Sequence, residues 1–217
     1  MATAYPLVAP RSRINILGSL PEFGARLSIG ALFMVFAWHL GGDFLRTGRP
    51  TELLLLVCEG LVVVLTCFRR RALAVDQRMA ARIVTISSMM APLLARPIVG
   101  SGWISETMAA SIGAIGLLIV IGGKLCLGYS FGLLPANRGV IDRGLYRIVR
   151  HPIYLGYLIT HIPFLLAHPT PWNLFILISG DFALIVRTFY EEQTLLLDPR
   201  YARYRNSVRW RLVPGVY

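Results

Sequence analysis

The sequence of 217 residues predicts an all-α polytopic membrane helix bundle of five to six transmembrane helices, and three observations predict it. First, 55% of the residues are hydrophobic and 15% charged, with a mean hydropathy of +0.61, whereas about 25% charged is usual for a soluble domain. Too few charges remain to coat a water-facing surface. Second, apolar runs recur at 27–40, 53–68, 83–99 and 108–127, and an apolar block follows at 153–189. Third, the arginines lie in strips between those runs, as they do in loops on one face of a membrane. Plentiful apolar residues also exclude disorder, and the length is that of a single domain.

In chain order, the segment 1–24 carries Arg11 and Arg13 but no apolar core directly behind them, so it does not read as a cleavable signal peptide. A spanning helix needs about 20 apolar residues, with about 17 tolerated. The first two runs are short by this measure, and Arg26 and Arg69 at their ends extend them by snorkelling. The block 153–189 is interrupted by His168-Pro169-Thr170-Pro171, which reads as the tip of a helical hairpin. Its first arm is also short. Six helices are expected, five being the alternative in which one hairpin arm enters the membrane without crossing it. The set of helices in 1–127 and the region 128–217, which contains the hairpin, form one integrated membrane domain in this reading.

Orientation follows from the arginines. Arg69, Arg70, Arg71, Arg78 and Arg82 follow the second run, Arg138, Arg143, Arg147 and Arg150 the fourth, and Arg200, Arg203, Arg205, Arg209 and Arg211 the last. The other side holds only Arg46, Arg49 and the membrane-edge Arg96. An even number of spans puts the rich segments on one face, which places both termini and the loop 128–150 in the cytoplasm. The net charge of +11 and pI near 10.3 are thereby accounted for without nucleic acid. Cys58, Cys67 and Cys126 lie in apolar stretches without disulfide or zinc spacing. Ala109/Gly113 and Ala110/Ala114 have the small-xxx-small spacing that lets helices approach closely, here within the chain. Oligomeric state is left open.

Charges within membrane helices cost about 2.5–3.5 kcal/mol on insertion scales and so mark candidates for function. Glu59 reads either as an interhelical hydrogen-bond partner or as a catalytic carboxylate. Lys124 reads as a snorkelling cation, and His161 as a satisfied core histidine. Asp181 and Arg187 complete the set.

The densest polar stretch runs through Arg138-Gly139-Val140-Ile141 and Gly144-Leu145-Tyr146 to Arg150-His151-Pro152-Ile153-Tyr154-Leu155-Gly156. Pro152 suits a first helical position, where its missing N–H costs nothing. The N–H groups and dipole of that helix start favour an anion, and Arg150 and His151 add positive charge. Tyr154 offers a flat face to a purine or a cation, and Gly156 permits close approach. A membrane-entry motif, with arginine at the headgroups and tyrosine in the aromatic belt, accounts for the same residues. The second polar stretch, Arg187-Thr188-Phe189-Tyr190-Glu191-Glu192, spaces Arg187 and Glu191 on one helix face. It reads as an intrahelical ion pair or as a site for a cationic or hydroxyl-rich ligand, with Arg187 left for an anion. The strip Tyr201-Ala202-Arg203-Tyr204-Arg205 has the look of an interfacial helix.

Taken together, Arg150-His151-Pro152-x-Tyr154-x-Gly156, Arg187-x-x-x-Glu191-Glu192, Tyr201-x-x-Tyr204 and Trp210-Arg211-Leu212-Val213-Pro214 resemble the isoprenylcysteine carboxyl methyltransferase family of integral membrane enzymes. Gly128-Tyr129-Ser130-Phe131 and Arg138-Gly139 are similar to that family's bacterial branch, so the resemblance covers about 127–217. It implies S-adenosylmethionine as methyl donor, held at the cytoplasmic face by Arg138, Gly139, Val140, Ile141, Tyr146, His151, Pro152, Ile153, Tyr154 and Glu191. Arg187 would bind the acceptor, with Glu191 and Glu192 beside it in the catalytic set. Where eukaryotic members carry a histidine, this chain has Arg138. No GxGxxG loop of the soluble nucleotide-binding kind is present, and no metal site is expected.

The expected reaction is in-line transfer of a sulfonium methyl to a lipophilic small-molecule or prenylated acceptor, by family default the carboxylate of an isoprenylated cysteine. A carboxylate needs no general base; an amine or thiol would need one, from Glu192 or Glu59. Phe164, Trp172 and Phe175 are candidates for a portal to the membrane lipids. The rivals are an NADPH-dependent reductase of lipid double bonds, for which Arg138, Arg143 and Arg147 supply phosphate contacts, and a small transporter or assembly factor built on Glu59 and Asp181.

Overall fold

The computed structural model describes residues 30–31, 34–35, 37–39, 41–42, 44–46, 50–98 and 102–217. Helix dominates, with little sheet. Those described between 30 and 46 are helical, and the rest of the predicted run 27–40, Arg11, Arg13, Arg26 and Arg49 lie outside the described residues. The helices that follow are α1 (Pro50–Phe68), α2 (Met79–Leu94), α3 (Glu106–Leu127), α4 (Pro152–Ala167), α5 (Pro171–Leu195) and α6 (Pro199–Ser207). Two of them, α3 and α5, are long and apolar enough to cross a membrane; the apolar parts of α1, α2 and α4 are shorter.

The expected hairpin is present. Thr170 caps α5, its side chain accepting the N–H of Asn173, and Pro171 sits in the first turn. Asn173 is fully buried and clamps the tip: it donates to the carbonyls of Arg96 and His168 and accepts the Arg96 N–H. The same clamp explains why α2 stops at Leu94 and not at the predicted residue 99. Residues 95–98 leave the helix to meet the hairpin tip, where Arg96 lies 5.3 Å over the Trp172 ring.

Small residues set the spacing of α3 and α4. A Cβ placed on Gly156 would stand 2.6 Å from the Gly116 carbonyl oxygen and 2.7 Å from Val120 Cγ2, so only glycine lets the two backbones touch here. Close approach at Gly156 therefore serves a neighbouring helix. Around this contact packs a core that includes Cys58, Val62, Leu117, Val120, Ile153, Tyr154 and Leu184. Lys124 corrects the expectation of snorkelling: it is fully buried, and its ammonium donates to the Cys58 carbonyl at 2.8 Å.

The links on the polar side are tied down by long-range pairs. Strands β1 (Ala74–Val75) and β2 (Ala136–Asn137) form a two-residue antiparallel ribbon, with Ala74 opposite Asn137. Asp76 fixes the start of α2 by accepting from the backbone and guanidinium of Arg78, and takes the Thr194 hydroxyl at 3.4 Å. At the C-terminus, the N–H groups of Arg150 and His151 donate to the carbonyls of Trp210 and Arg211, which lays 210–211 against the start of α4. Tyr201 and Tyr204 of α6 pack with Tyr146 and Val208.

Candidate active site

Because a short turn joins α4 and α5, the start of α4 and the end of α5 lie at the same end of the hairpin. His151 is the residue before α4 and Pro152 opens it, as the sequence predicts. From that position the Tyr154 hydroxyl donates to Glu191 Oε2 on α5 at 2.6 Å. The Tyr154 ring is stacked parallel to His151, with centroids 5.4 Å apart, and the Arg187 guanidinium lies 5.1 Å from its centre on α5. Arg187 also donates to the Leu133 carbonyl, its Nε being buried without a partner among the described residues. The ion pair that i,i+4 spacing allows with Glu191 gives way to these longer-range contacts.

Glu192 faces elsewhere. Its Oε1 accepts from Arg150 Nε at 2.8 Å and Arg211 Nε at 3.1 Å, its Oε2 from Arg211 Nη2 at 2.9 Å, and His151 Nε2 lies 3.3 Å away. Arg150 in turn donates to the carbonyls of Val208 and Arg209. With only 2% of its surface exposed, Glu192 binds the start of α4, the end of α5 and the C-terminal segment together. Its oxygens are already engaged, which suits it to holding the wall of a site and not to taking a proton from a substrate.

A cavity of about 460 Å³ opens beside these residues, within the size range of small-molecule sites. It brings together Arg138, Gly139, Val140, Ile141, Tyr146, His151, Ile153, Tyr154, Arg187 and Glu191 on one lining. Pro152 is buried at the helix start and Glu192 lies behind the wall. Arg150, Tyr201 and Tyr204 also line the cavity. The Tyr201 hydroxyl is buried without a hydrogen-bond partner among the described residues. Burial pushes the phenols of Tyr146, Tyr201 and Tyr204 up, so all three stay neutral donors at physiological pH. The loop before them turns at Gly139, whose φ of +104° favours glycine, and its N–H is held by Asn137 Oδ1.

The same cavity continues between the helices into an apolar arm. Leu55, Val62, Met90, Leu93, Phe164 and Leu177 line it, together with Glu59, Tyr157 and His161. Of the aromatic residues considered for a lipid portal, Phe164 lies on this lining, while Trp172 and Phe175 are on the outer surface, 45% and 68% exposed. His161 is buried and partnered, as expected of a core histidine: its Nδ1 is 2.6 Å from Asp181 Oδ1. Among the described residues no cluster of histidine, cysteine and carboxylate side chains could hold a metal ion.

Sequence reasoning missed Arg211 as the partner of Glu192, the Leu133 carbonyl on Arg187 and the lining role of Tyr201. Local periodicity carries no sign of them. Tyr201-x-x-Tyr204 and Trp210-Arg211, as parts of the resemblance, were the one available signal.

Residues 105–198 match the family model of the phospholipid methyltransferases, the family that includes isoprenylcysteine carboxyl methyltransferase-like membrane enzymes. The motifs between residues 128 and 192 that carry the resemblance lie within this stretch, which suggests a membrane methyltransferase, while Tyr201-x-x-Tyr204 and 210–214 lie beyond it. No curated protein matches the chain.

Proposed function

We propose, from the phospholipid methyltransferase match over 105–198, that the chain transfers a methyl group from S-adenosylmethionine to a lipophilic acceptor that reaches the site through the apolar arm. One observation carries the reading: a single cavity joins a cationic, aromatic end to an apolar end that runs among the membrane helices. We place the polar end at the cytoplasmic leaflet, on the strength of the arginine-rich segments around it.

The residues at the polar end fit the donor. Arg138 and Arg150 supply positive charge for its carboxylate, Tyr154 and His151 a stacked aromatic face for a purine, and Glu191 an acceptor for hydroxyls. The unpaired Arg187 Nε and Tyr201 hydroxyl are buried polar atoms that a ligand would satisfy. When bound, S-adenosylmethionine supplies an activated methyl on a sulfonium. The chain's own work is then to hold and orient the reactants and exclude water. Arg187, between Tyr154 and the loop at Leu133, is placed to fix an anionic acceptor such as a carboxylate, for which no base is needed. An isoprenylcysteine carboxylate is one acceptor of this class.

Ligand-induced stabilisation tests the donor assignment in detergent. S-adenosylhomocysteine is expected to raise the melting temperature, and NADPH to leave it unchanged. His151→Ala and Glu191→Ala should each abolish the effect and the transfer of labelled methyl into the lipid phase. Stabilisation by NADPH alone would refute the assignment.

A further inference from the structure

The α4–α5 hairpin is crossed by two polar rungs. One is Tyr154–Glu191, at the cavity's polar end; the other is His161–Asp181, also 2.6 Å across. Tyr154 and His161 are seven residues apart on α4, so they share a helix face and stand about 10 Å apart along it. Both line the one cavity. Asp181 engages Nδ1 of His161, leaving Nε2 with no hydrogen-bond partner among the described residues. Most other polar groups of the apolar arm are committed, Glu59 alone among them making no hydrogen bond among the described residues. Ser88 donates to the Thr85 carbonyl and Thr160 to that of Gly156, while Tyr157 is tied to Lys124, towards which Glu59 is also drawn.

We infer that His161, its Nδ1–H held by Asp181, is a specificity-determining site whose Nε2 accepts from a second polar group of the acceptor, a hydroxyl about 10 Å from the methyl-accepting atom. The acceptor is thus an amphiphile with two polar points along its length. This rests on the proposed methyl transfer to a lipophilic acceptor. A simple hydrocarbon tail would leave Nε2 unsatisfied in an apolar arm, so the site disfavours the analogue that lacks the partner.

Binding of two fatty acids to the full chain in lipid nanodiscs tests the inference without requiring turnover. Stearic acid and 10-hydroxystearic acid share a carboxylate for Arg187 and differ in a hydroxyl that stands about 10 Å away in the extended chain, the separation of the two rungs. Both are titrated with and without S-adenosylhomocysteine. The hydroxy acid is expected to bind about fivefold tighter, the worth of one hydrogen bond. The preference should vanish in His161→Phe and survive in part in His161→Gln, which keeps a polar atom. Equal affinities in the parent chain, or a preference that persists in His161→Phe, would overturn the assignment. If S-adenosylhomocysteine does not bind but the hydroxy preference holds and depends on His161, the donor reading fails and the polar site stands.

Discussion

Glu192→Gln separates a carboxylate that builds the site from one that acts on substrate. The side chains of Glu192, Arg150 and Arg211 are 3%, 8% and 12% exposed, so their charges are largely out of water. Glutamine keeps the shape but cancels the charge and turns an amide N–H₂ towards a guanidinium. Removing one partner of a buried pair costs about 3–5 kcal/mol, because the remaining charge is left uncompensated. Since glutamine still offers one acceptor, the lower end, about 3 kcal/mol, is expected. For a chain of this size that is a fall in melting temperature of about 6–12 °C. The assay is thermal unfolding in detergent without donor, read by tryptophan fluorescence. Glu191→Gln is the comparison: that carboxylate is half-buried and takes one hydrogen bond, from Tyr154, so its loss should move the midpoint by only a few degrees, about 1–2 kcal/mol. A Glu192→Gln protein that melts within about 2 °C of the parent while methyl transfer is lost would refute the structural role and return Glu192 to the chemistry.

Three further outcomes follow from the geometry. Gly156→Val should destabilise by about 2 kcal/mol or more, since its Cβ would meet backbone and Val120 at under 3 Å; Gly113→Ala, whose Cβ finds only Thr160 Cγ2 at 3.9 Å, should be close to neutral in the same melting assay. Asp76 is buried, which by itself raises its carboxyl, yet the Arg78 hydrogen bonds hold it below the usual range. A depressed folded value stabilises above the unfolded value of about 3.9 and is lost as pH falls through the folded one, so the deficit of Asp76→Asn relative to the parent should be full at pH 7 and shrink below about pH 4. Tyr154→Phe keeps the stack on His151 and removes the donor to Glu191; it should weaken S-adenosylhomocysteine binding about tenfold by calorimetry, with the melting temperature falling by no more than the few degrees expected of Glu191→Gln.

The parts of the site that were legible in the sequence are those fixed by local rules. Pro152 announces a helix start, Pro169 and Pro171 a turn, and the apolar arms on either side must return antiparallel. That alone obliges Arg150–Gly156 and Arg187–Glu192 to meet although Tyr154 and Glu191 are 37 residues apart. The shared cavity of His151 and Glu191 is the outcome of this folding back, and it is why a motif pair in that order could be read as one site.

What stayed illegible depends on partners that no local period reveals. Arg187 and Glu191 sit at ion-pair spacing, but α4 offers each a better contact, the Tyr154 ring and hydroxyl. Lys124 at a helix end reads as a snorkelling cation until the Cys58 carbonyl of α1 is found within 2.8 Å. Glu192 reads as a free carboxylate until Arg150, 42 residues before it, and Arg211, 19 after it, converge on it. In each case another element is packed against a polar side chain, and the buried charge takes the partner that removes most of its desolvation cost. The division of labour at the end of α5 follows from the same competition. Of two adjacent carboxylates, the one facing the C-terminal segment is consumed by arginines, and that leaves Glu191, one helical step round, as the carboxylate that lines the cavity.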